Sequence, residues 1–461
     1  MSEIPVERLS ATELRAGVSL ATIFFLRMSG LFMITPVFVL YAEHLRGATA
    51  GLVGLAIGIY GLTQALFQIP FGMISDRIGR KKVIGAGLLV FVLGSVLAAL
   101  GRDIYWVTLG RALQGAGAVG SATLALAADL TREEHRTKVM AMIGITIGLA
   151  FPIAFVAGPA VSAHFGAPSV FWLAAVLGLA SIAVLMLWVP TPVRSSFHRD
   201  CEIIPAQFLD ILLDRNLLRL DFGVLALHAI MTATFVVMPL ALRDAAGLEL
   251  GRHWHVYLPV LALSVVALAP LLRLSSGSGS RAKGVFCASV FALFAAELGL
   301  RYGHAHLPAL GVSMWIFFTA FNFLEASLPT LISRLAPADR RGTAMGVYST
   351  AQFLGIFIGG AAGGWLHGRY GMQAVFLFAA AIAAIWGVLA LGMAKPRHLV
   401  SRMHSVGPIS RVEAADLAAR YGALPGVAEA VIVAEDGIAY LKVDPQIFDP
   451  AALRPDAAAT G

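Results

Sequence analysis

The sequence predicts an all-α polytopic membrane protein with twelve spans in two pseudo-symmetric six-helix halves, followed by a small α+β module. Three observations predict it: the composition, the spacing and charge asymmetry of the apolar runs, and an internal repeat. Of 461 residues, 58% are apolar and 13% charged, and the mean hydropathy is +0.80. Soluble chains carry about 45–50% apolar and about 25% charged residues. A compact soluble particle of this length exposes a large surface to water, so it cannot hide that much apolar area. The net charge of +7 does not point to nucleic acid, because basic residues collect in the cytoplasmic loops of membrane proteins. Cys201 and Cys287 are far apart and outside any CxxC spacing, which excludes a disulfide scaffold and a structural zinc site.

Runs of roughly 20 apolar residues suffice to cross a hydrocarbon core of about 30 Å. They lie near 17–41, 48–71, 83–101, 104–128, 138–162 and 169–190, then near 219–243, 253–273, 283–301, 306–333, 342–366 and 372–393. The first follows a polar segment and has no small-residue cleavage site, so it is a retained span rather than a signal peptide. The expected domains are an N-terminal half over 1–190, a cytoplasmic inter-half loop over 191–218, a C-terminal half over 219–395 and a cytoplasmic module over 396–461. Counting Lys and Arg around the spans puts 21 on one side, including Arg77, Arg80, Lys81, Lys82, Arg340 and Arg341. The other side has six: Arg46, Arg102, Arg243, Arg252, Arg301 and Arg369. The positive-inside rule makes both termini and the middle loop cytoplasmic.

The repeat has an offset of about 205 residues. EHRTKVMA at 134–141 aligns with DRRGTAMG at 339–346, which places Arg136 on Arg341 and Met140 on Met345. AGP at 157–159 falls on AGG at 362–364, and HFGAPSVF at 164–171 falls on RYGMQAVF at 369–376. Two homologous halves in parallel orientation suit transporters that rock around a midplane site.

The loop after the second span reads Gly72-Met-Ile-Ser-Asp76-Arg77-Ile-Gly79-Arg80-Lys81-Lys82. Any cytoplasmic loop collects cations, but that does not account for the placement of Gly72, Asp76 and Gly79. Here the chain resembles the major facilitator superfamily, whose loop signature G-x-x-x-D-R-x-G-R-[RK] is met at every fixed position. Arg111-Ala-Leu-Gln114-Gly115 is similar to the family's R-x-x-Q-G motif, and Ala157-Gly158-Pro159 partly matches its antiporter motif. In the second half Gly277 and Gly284 stand at the loop's glycine positions, with Arg281 where Asp76 stood. The resemblance covers about residues 15–395. It is closer still to the YajR group of drug/proton antiporters, through the first span around Arg27 and Pro36, His228 in the seventh span and FNFLEASLP around Asn322 and Glu325 in the tenth. That group carries a small cytoplasmic C-terminal domain. The resemblance implies a bacterial inner-membrane location.

Ionisable groups within a span are costly and usually functional. Arg27, Arg111, His228 and Glu325 qualify, although Arg111 lies near the outer end of its span and is able to snorkel. Burial raises a carboxylate's pKa and a nearby cation lowers it, so a balanced Glu can load and release a proton. The expectation is Glu325 as principal proton carrier, His228 as its partner and Arg27 as the opposing charge from the first half, with Arg111 also in the coupling set. Asn322, three residues before Glu325 and on the same helix face, is expected to line the substrate cavity with Gln114 and Gln64. Gly72, Asp76, Arg77, Gly79, Arg80, Asp129 and Arg136 are expected to form a conformational latch. Asp129 is placed to pair with Arg77, with Arg136 as a further candidate. By resemblance, Asp76 docks at the N-terminus of the eleventh span, near Gly342, in the outward-facing state.

Other signals are weak. His253 and His255, and His304 and His306, form H-x-H pairs in external loops without further ligands, so no metal site is expected. GSGS at 277–280 reads as a turn, and phosphate-loop and catalytic-triad patterns are absent, so neither a cofactor nor an enzymatic activity is expected. Past Pro396 the pattern shortens to a strand over 399–406, a helix over 411–421 capped by Ser410, and strands over 426–434 and 438–443 joined across Asp436-Gly437. A short helix then opens at Asp449-Pro450. The order βαββα suggests a ferredoxin-like module; it has no cysteine, which speaks against copper carriage. The predicted function is proton-coupled efflux of small amphipathic compounds by alternating access, with protons, a small molecule and the bilayer as partners and the oligomeric state undetermined. The rivals are a proton-independent facilitator or importer, and a membrane sensor signalling through the tail.

Overall fold

The computed structural model describes residues 9–191, 208–276, 279–337, 340–393, 400–407, 409–434, 437–444 and 447–453. Most of the loop expected over 191–218, with Cys201, lies outside the described residues. So do Gly277, Pro396 and Asp436.

Among the described residues, eleven helices are long and apolar enough to cross a membrane. In order the helices are α1 (Ala11–Phe32), α2 (Phe38–Ala42), α3 (Ala50–Ile78), α4 (Arg80–Leu100), α5 (Ile104–Ala116), α6 (Gly120–Asp129), α7 (Glu133–Phe165), α8 (Ser169–Leu187), α9 (Phe208–Leu213), α10 (Arg215–Leu240), α11 (Trp254–Ser275), α12 (Gly279–Gly303), α13 (Leu307–Leu335), α14 (Arg341–Tyr370), α15 (Met372–Leu391) and α16 (Arg411–Gly422). Two expected spans depart from single helices. The first begins earlier, because Ser10 and Glu13 close a capping box, and it stops at Phe32. A turn containing Pro36, which has no N–H to donate, separates it from α2. The fourth is divided into α5 and α6, with a break at Gly117–Val119. This pair covers the expected fourth span without either helix being long enough to cross alone.

Glycine sets how closely the helices approach. A Cβ on Gly54 would run into the Gly360 carbonyl, and one on Gly58 or Gly61 would meet the carbonyls of Phe357 and Phe353, so α3 and α14 touch backbone to backbone. The other face of α14 does the same against α10, where Gly355 and Gly359 sit on the carbonyls of Leu225 and Ala229. Small residues permit this approach, and in lipid it supplies the packing that a hydrophobic drive cannot.

The repeat reappears as chemistry at the basic end of the bundle. Arg15 Nε donates to the Trp188 carbonyl (2.9 Å) and Lys81 Nζ to that of Val189 (2.8 Å), closing the C-terminus of α8. In the second half Arg219 Nη1 donates to the Gly392 carbonyl (2.8 Å) and Lys283 Nζ to that of Leu391 (2.7 Å), closing α15 the same way. Paired cations at a helix C-terminus satisfy its free carbonyls and its dipole together.

After α15 the chain forms a small sheet of β1 (Val400–Ser405), β2 (Val427–Val433) and β3 (Ile438–Val443), in antiparallel order β1-β3-β2 with α16 crossing between β1 and β2. Tyr421, Leu441, Val443 and Phe448 fill its core. Within the described residues the expected closing helix is only a 3₁₀ turn over Pro450–Leu453. The module rests on the bundle through Lys442, whose buried Nζ bonds the Leu335 carbonyl at the end of α13 (3.2 Å) and pairs with Glu429 (2.9 Å).

Candidate functional site

Two buried polar networks occupy the two halves. In the first, Arg27 of α1 is 2% exposed and donates from Nη2 to Gln64 Oε1 (3.0 Å) and to the Gly117 carbonyl (3.1 Å), with its guanidinium 5.8 Å from the Phe91 ring. Gln64 also accepts from the Tyr60 hydroxyl (3.3 Å) and donates to Gln68 (3.2 Å). Arg111 lies over the Tyr60 ring at 5.1 Å, donates to Gln114 (2.8 Å) and is buried rather than snorkelling. Gln114 passes the chain to Ser95 (2.8 Å). These contacts correct two expectations. Every contact named for Arg27 is to the first half, so it does not stand opposite Glu325. Gln64 and Gln114, 1% and 0% exposed, form the polar core of that half rather than a cavity wall.

The second network is acidic. His228 on α10 and Glu325 on α13 come within 3.7 Å, and Gln352 of α14 bridges them, with its amide nitrogen 2.8 Å from His228 Nε2 and 3.5 Å from Glu325 Oε1. His228 Nδ1 lies 3.1 Å from the Val224 carbonyl. These contacts fit the tautomer with its proton on Nδ1, donated to the Val224 carbonyl, and with Nε2 accepting from the Gln352 amide. The Glu325 side chain is 38% exposed and that of His228 9%, while Glu325 Oε2 is itself buried with no hydrogen-bond partner among the described residues. Asn322 is half-buried one turn away and donates to Ser264 of α11 (3.1 Å).

Phe321 also lies one turn from Glu325, on the side away from the basic end. It touches the His228 ring (6.0 Å between centroids) and stacks with Phe151 of α7 (6.1 Å). Phe155, one turn along α7, packs edge-on against Phe235 (4.9 Å) and Phe318 (6.2 Å). These rings join the halves above the His–Glu pair. Beyond them the α3–α14 glycine seam continues the closure, and Arg243 bonds Glu43 across the halves at 2.8 Å. Of these inter-half contacts the Phe321–Phe151 stack and Arg243–Glu43 lie on the aromatic side of Glu325, and Gly61 meets Phe353 at the level of Gln352.

At the basic end of the first half, Gly79 takes φ +103 and turns the chain so that Arg80 opens α4 pointing inward. Arg80 bonds Asp76 and, at 2.8 Å, Asp129, whose side chain is fully buried. Arg77 is exposed, so the expected Asp129–Arg77 pairing is replaced by Asp129–Arg80. Gly72 packs on Ser121 of α6, and Arg136 stands in the first turn of α7. Asp76 bonds Arg80 here, and the docking near Gly342 is the one expected of the outward-facing state. Of the loop histidines, His253 Nε2 lies 2.9 Å from the Leu248 carbonyl and His304 Nδ1 2.9 Å from that of Arg301. Among the described residues no three His, Cys, Asp or Glu side chains converge as metal ligands.

Sequence reasoning overlooked Gln352 and the aromatic plug. An amide inside the eleventh span was a signal of the same kind as Gln64; the aromatics carried none, since phenylalanine is ordinary in any span.

The Major Facilitator Superfamily profile matches residues 20–358 and 279–413. The inner membrane transport protein YajR of Escherichia coli (strain K12) is 43% identical over 441 residues, spanning 95% of this chain and 96% of that protein. Multidrug resistance protein MdtH of Yersinia enterocolitica is 26% identical over 344 residues, 73% of this chain and 83% of that protein. Among solved structures, a bacterial homologue of the lysosomal transporter Spinster, inward-facing and occupied, superposes with TM-score 0.67 at 14% identity, over 83% of this chain and 97% of that one. The human organic anion transporter MFSD10 superposes with TM-score 0.61 at 16% identity, over 83% of this chain and 100% of that one. At such identities the structural likeness bears on the fold alone.

Proposed function

The chain belongs to the major facilitator superfamily, a family of secondary transporters and not of enzymes, and from that membership we propose that it exports small amphipathic compounds in exchange for protons. The observation that carries the reading is the His228–Gln352–Glu325 cluster, whose Glu325 side chain is partly exposed beneath the rings of Phe321 and Phe151. A proton site must reach water from one side at a time, and such a site sits at the floor of a one-sided vestibule. Taking the basic end as cytoplasmic, the conformation is inward-open, with both termini and the tail module in the cytoplasm and the halves dividing near 190 and 219.

In this scheme Glu325 releases its proton to the cytoplasm while Gln352 bridges it to His228. When the halves rock about the aromatic seam, Glu325 meets the other side and reloads. His228 accepts at Nε2 only after Gln352 swings away, so the amide sets the order of protonation. The Arg80–Asp76–Asp129 cluster is the latch: its contacts stabilise one conformation and exchange in the other, which biases a two-state equilibrium without touching cargo. Asn322, half-buried beside Glu325, lies at the substrate cavity. The resemblance to MdtH, a multidrug resistance protein, supports efflux of varied small molecules.

The test is proton flux in vesicles under an imposed pH gradient, with cationic and neutral drugs added in turn, for the wild type and Glu325→Gln. Drug-dependent proton movement that disappears in the variant is the expected result. Equal drug movement in both proteins overturns the coupling and favours a facilitator.

A further inference from the structure

Two turns from His228 toward the basic end, on the same face of α10, stands Asp221. Seven residues at 3.6 per turn return the side chain to the same azimuth, about 10.5 Å along the axis. Asp221 is 5% exposed, and among the described residues neither of its carboxyl oxygens has a hydrogen-bond partner. No ion pair reaches Asp221 among the described residues, and Arg341 opens the neighbouring α14 with its Nε buried. Arg219 of its own helix bonds the Gly392 carbonyl; Arg340, just before α14, bonds Asp210 of α9. Helix α15 packs Trp386 and α13 packs Leu328 against the neighbouring Gly223. From α14 comes Tyr348, 4% exposed with its hydroxyl unpartnered, one turn from Gln352 and within electrostatic reach of both Asp221 and Glu325.

A carboxyl group buried without a cation is stable only with its proton on. We propose that Asp221 is a second proton-binding carboxylate, linked through Tyr348 to the Glu325–His228 pair, which holds a proton in the interior while Glu325 exchanges with water. The inference rests on the proton-coupled reading above and deepens it. Two carboxylates in one half, one shielded and one wetted in the same conformation, give each transport cycle two proton sites with different access. Tyr348, buried within electrostatic reach of both and able both to donate and to accept, is the positioning residue that makes the two titrations interdependent.

Infrared difference spectra of the full-length protein in lipid, recorded between acidic and alkaline pH, report protonated carboxyl groups by their carbonyl stretch. Asp221→Asn is expected to remove one component and Glu325→Gln a different one. Tyr348→Phe is expected to keep both components while abolishing the shift that Glu325→Gln causes in the Asp221 midpoint. A spectrum unchanged by Asp221→Asn overturns the proposal, as does a Tyr348→Phe protein in which that shift persists. If Asp221→Asn fails to fold, Asp221→Glu retains the acid and must displace the same component in frequency; an undisplaced component is equally fatal. If Asp221→Asn removes a component and Glu325→Gln removes none, the assignment of Glu325 as carrier fails while Asp221 stands as a proton site.

Discussion

The two halves of the bundle bury polar groups for opposite ends. In the first, two arginines, three glutamines, a tyrosine and a serine form a chain of direct hydrogen bonds and ring contacts that contains no carboxylate and is closed to solvent. In the second, a histidine, a glutamine and a glutamate meet at the wet end of an aromatic plug, and the acid is partly exposed. Charge within a span is therefore an insufficient marker of coupling. What separates the two networks is that the second contains a partly exposed acid beside a histidine and the first contains none.

The largest expected effect sets the two halves directly against each other. Glu325→Gln should reduce coupled proton flux to that of protein-free vesicles. Arg27→Met should retain coupled flux and instead lower stability by about 1–3 kcal/mol, since Gln64 and the Gly117 carbonyl lose a buried donor. Flux assays beside thermal unfolding separate these outcomes; coupling lost with stability kept in Arg27→Met would break the comparison. Next comes Arg80→Ala, which strips the cation from the buried Asp129 and should destabilise by about 3–5 kcal/mol. Arg77→Ala, one turn away on the exposed side, should stay within about 0.5 kcal/mol by the same unfolding measurement.

A smaller effect is expected where the halves meet. Gly360→Leu overpacks the α3–α14 seam only in the present conformation, at a cost of about 1–3 kcal/mol, and should shift the population toward the form open at the aromatic end. Spin-label distances across that end would widen. Gly355→Leu, at the α10–α14 seam within one half, should lower stability without that widening. The smallest effect lies in the tail. Ser410→Ala removes the cap of α16 and should cost about 1 kcal/mol. The Ser410 amide and hydroxyl bonded to Glu413 hold its carboxyl below the usual carboxylate range. Its contribution is thus present above the unfolded-state pKa and fades as the pH falls through the lowered one; helix content of the tail followed against pH checks both.

Much of this was legible in the chain. Apolar runs located the spans because lipid tolerates little else at that length, and the loop signature announced its own glycine turn. Azimuth was not legible. The sequence places Arg27 inside a span but does not say that its face of α1 looks into the first half, away from Glu325. Arg77 and Arg80 both follow Asp76 within four residues, and only the reversal at Gly79 decides which turns inward. Asp221 lies so near the start of its span that it reads as interfacial, whereas the packing of α13, α14 and α15 buries it. Pro36 betrayed the end of the first helix only in retrospect. The break in the fourth span left no signature, since glycine is at home in transmembrane helices.

That break explains how Arg27 is tolerated without a counter-ion. At Gly117 helix α5 stops in the protein interior, and the carbonyl there is released from its ladder to receive the guanidinium of Arg27 at 3.1 Å. The negative pole of a helix, roughly half an elementary charge, stands where a carboxylate would otherwise be needed. The interrupted span and the buried arginine are accordingly one feature. An alanine at 117 would also press its methyl against the Gly87 carbonyl, so this residue holds both a tertiary contact and an electrostatic sink that takes up no proton. The first half thus answers a buried guanidinium with backbone and amide oxygens alone.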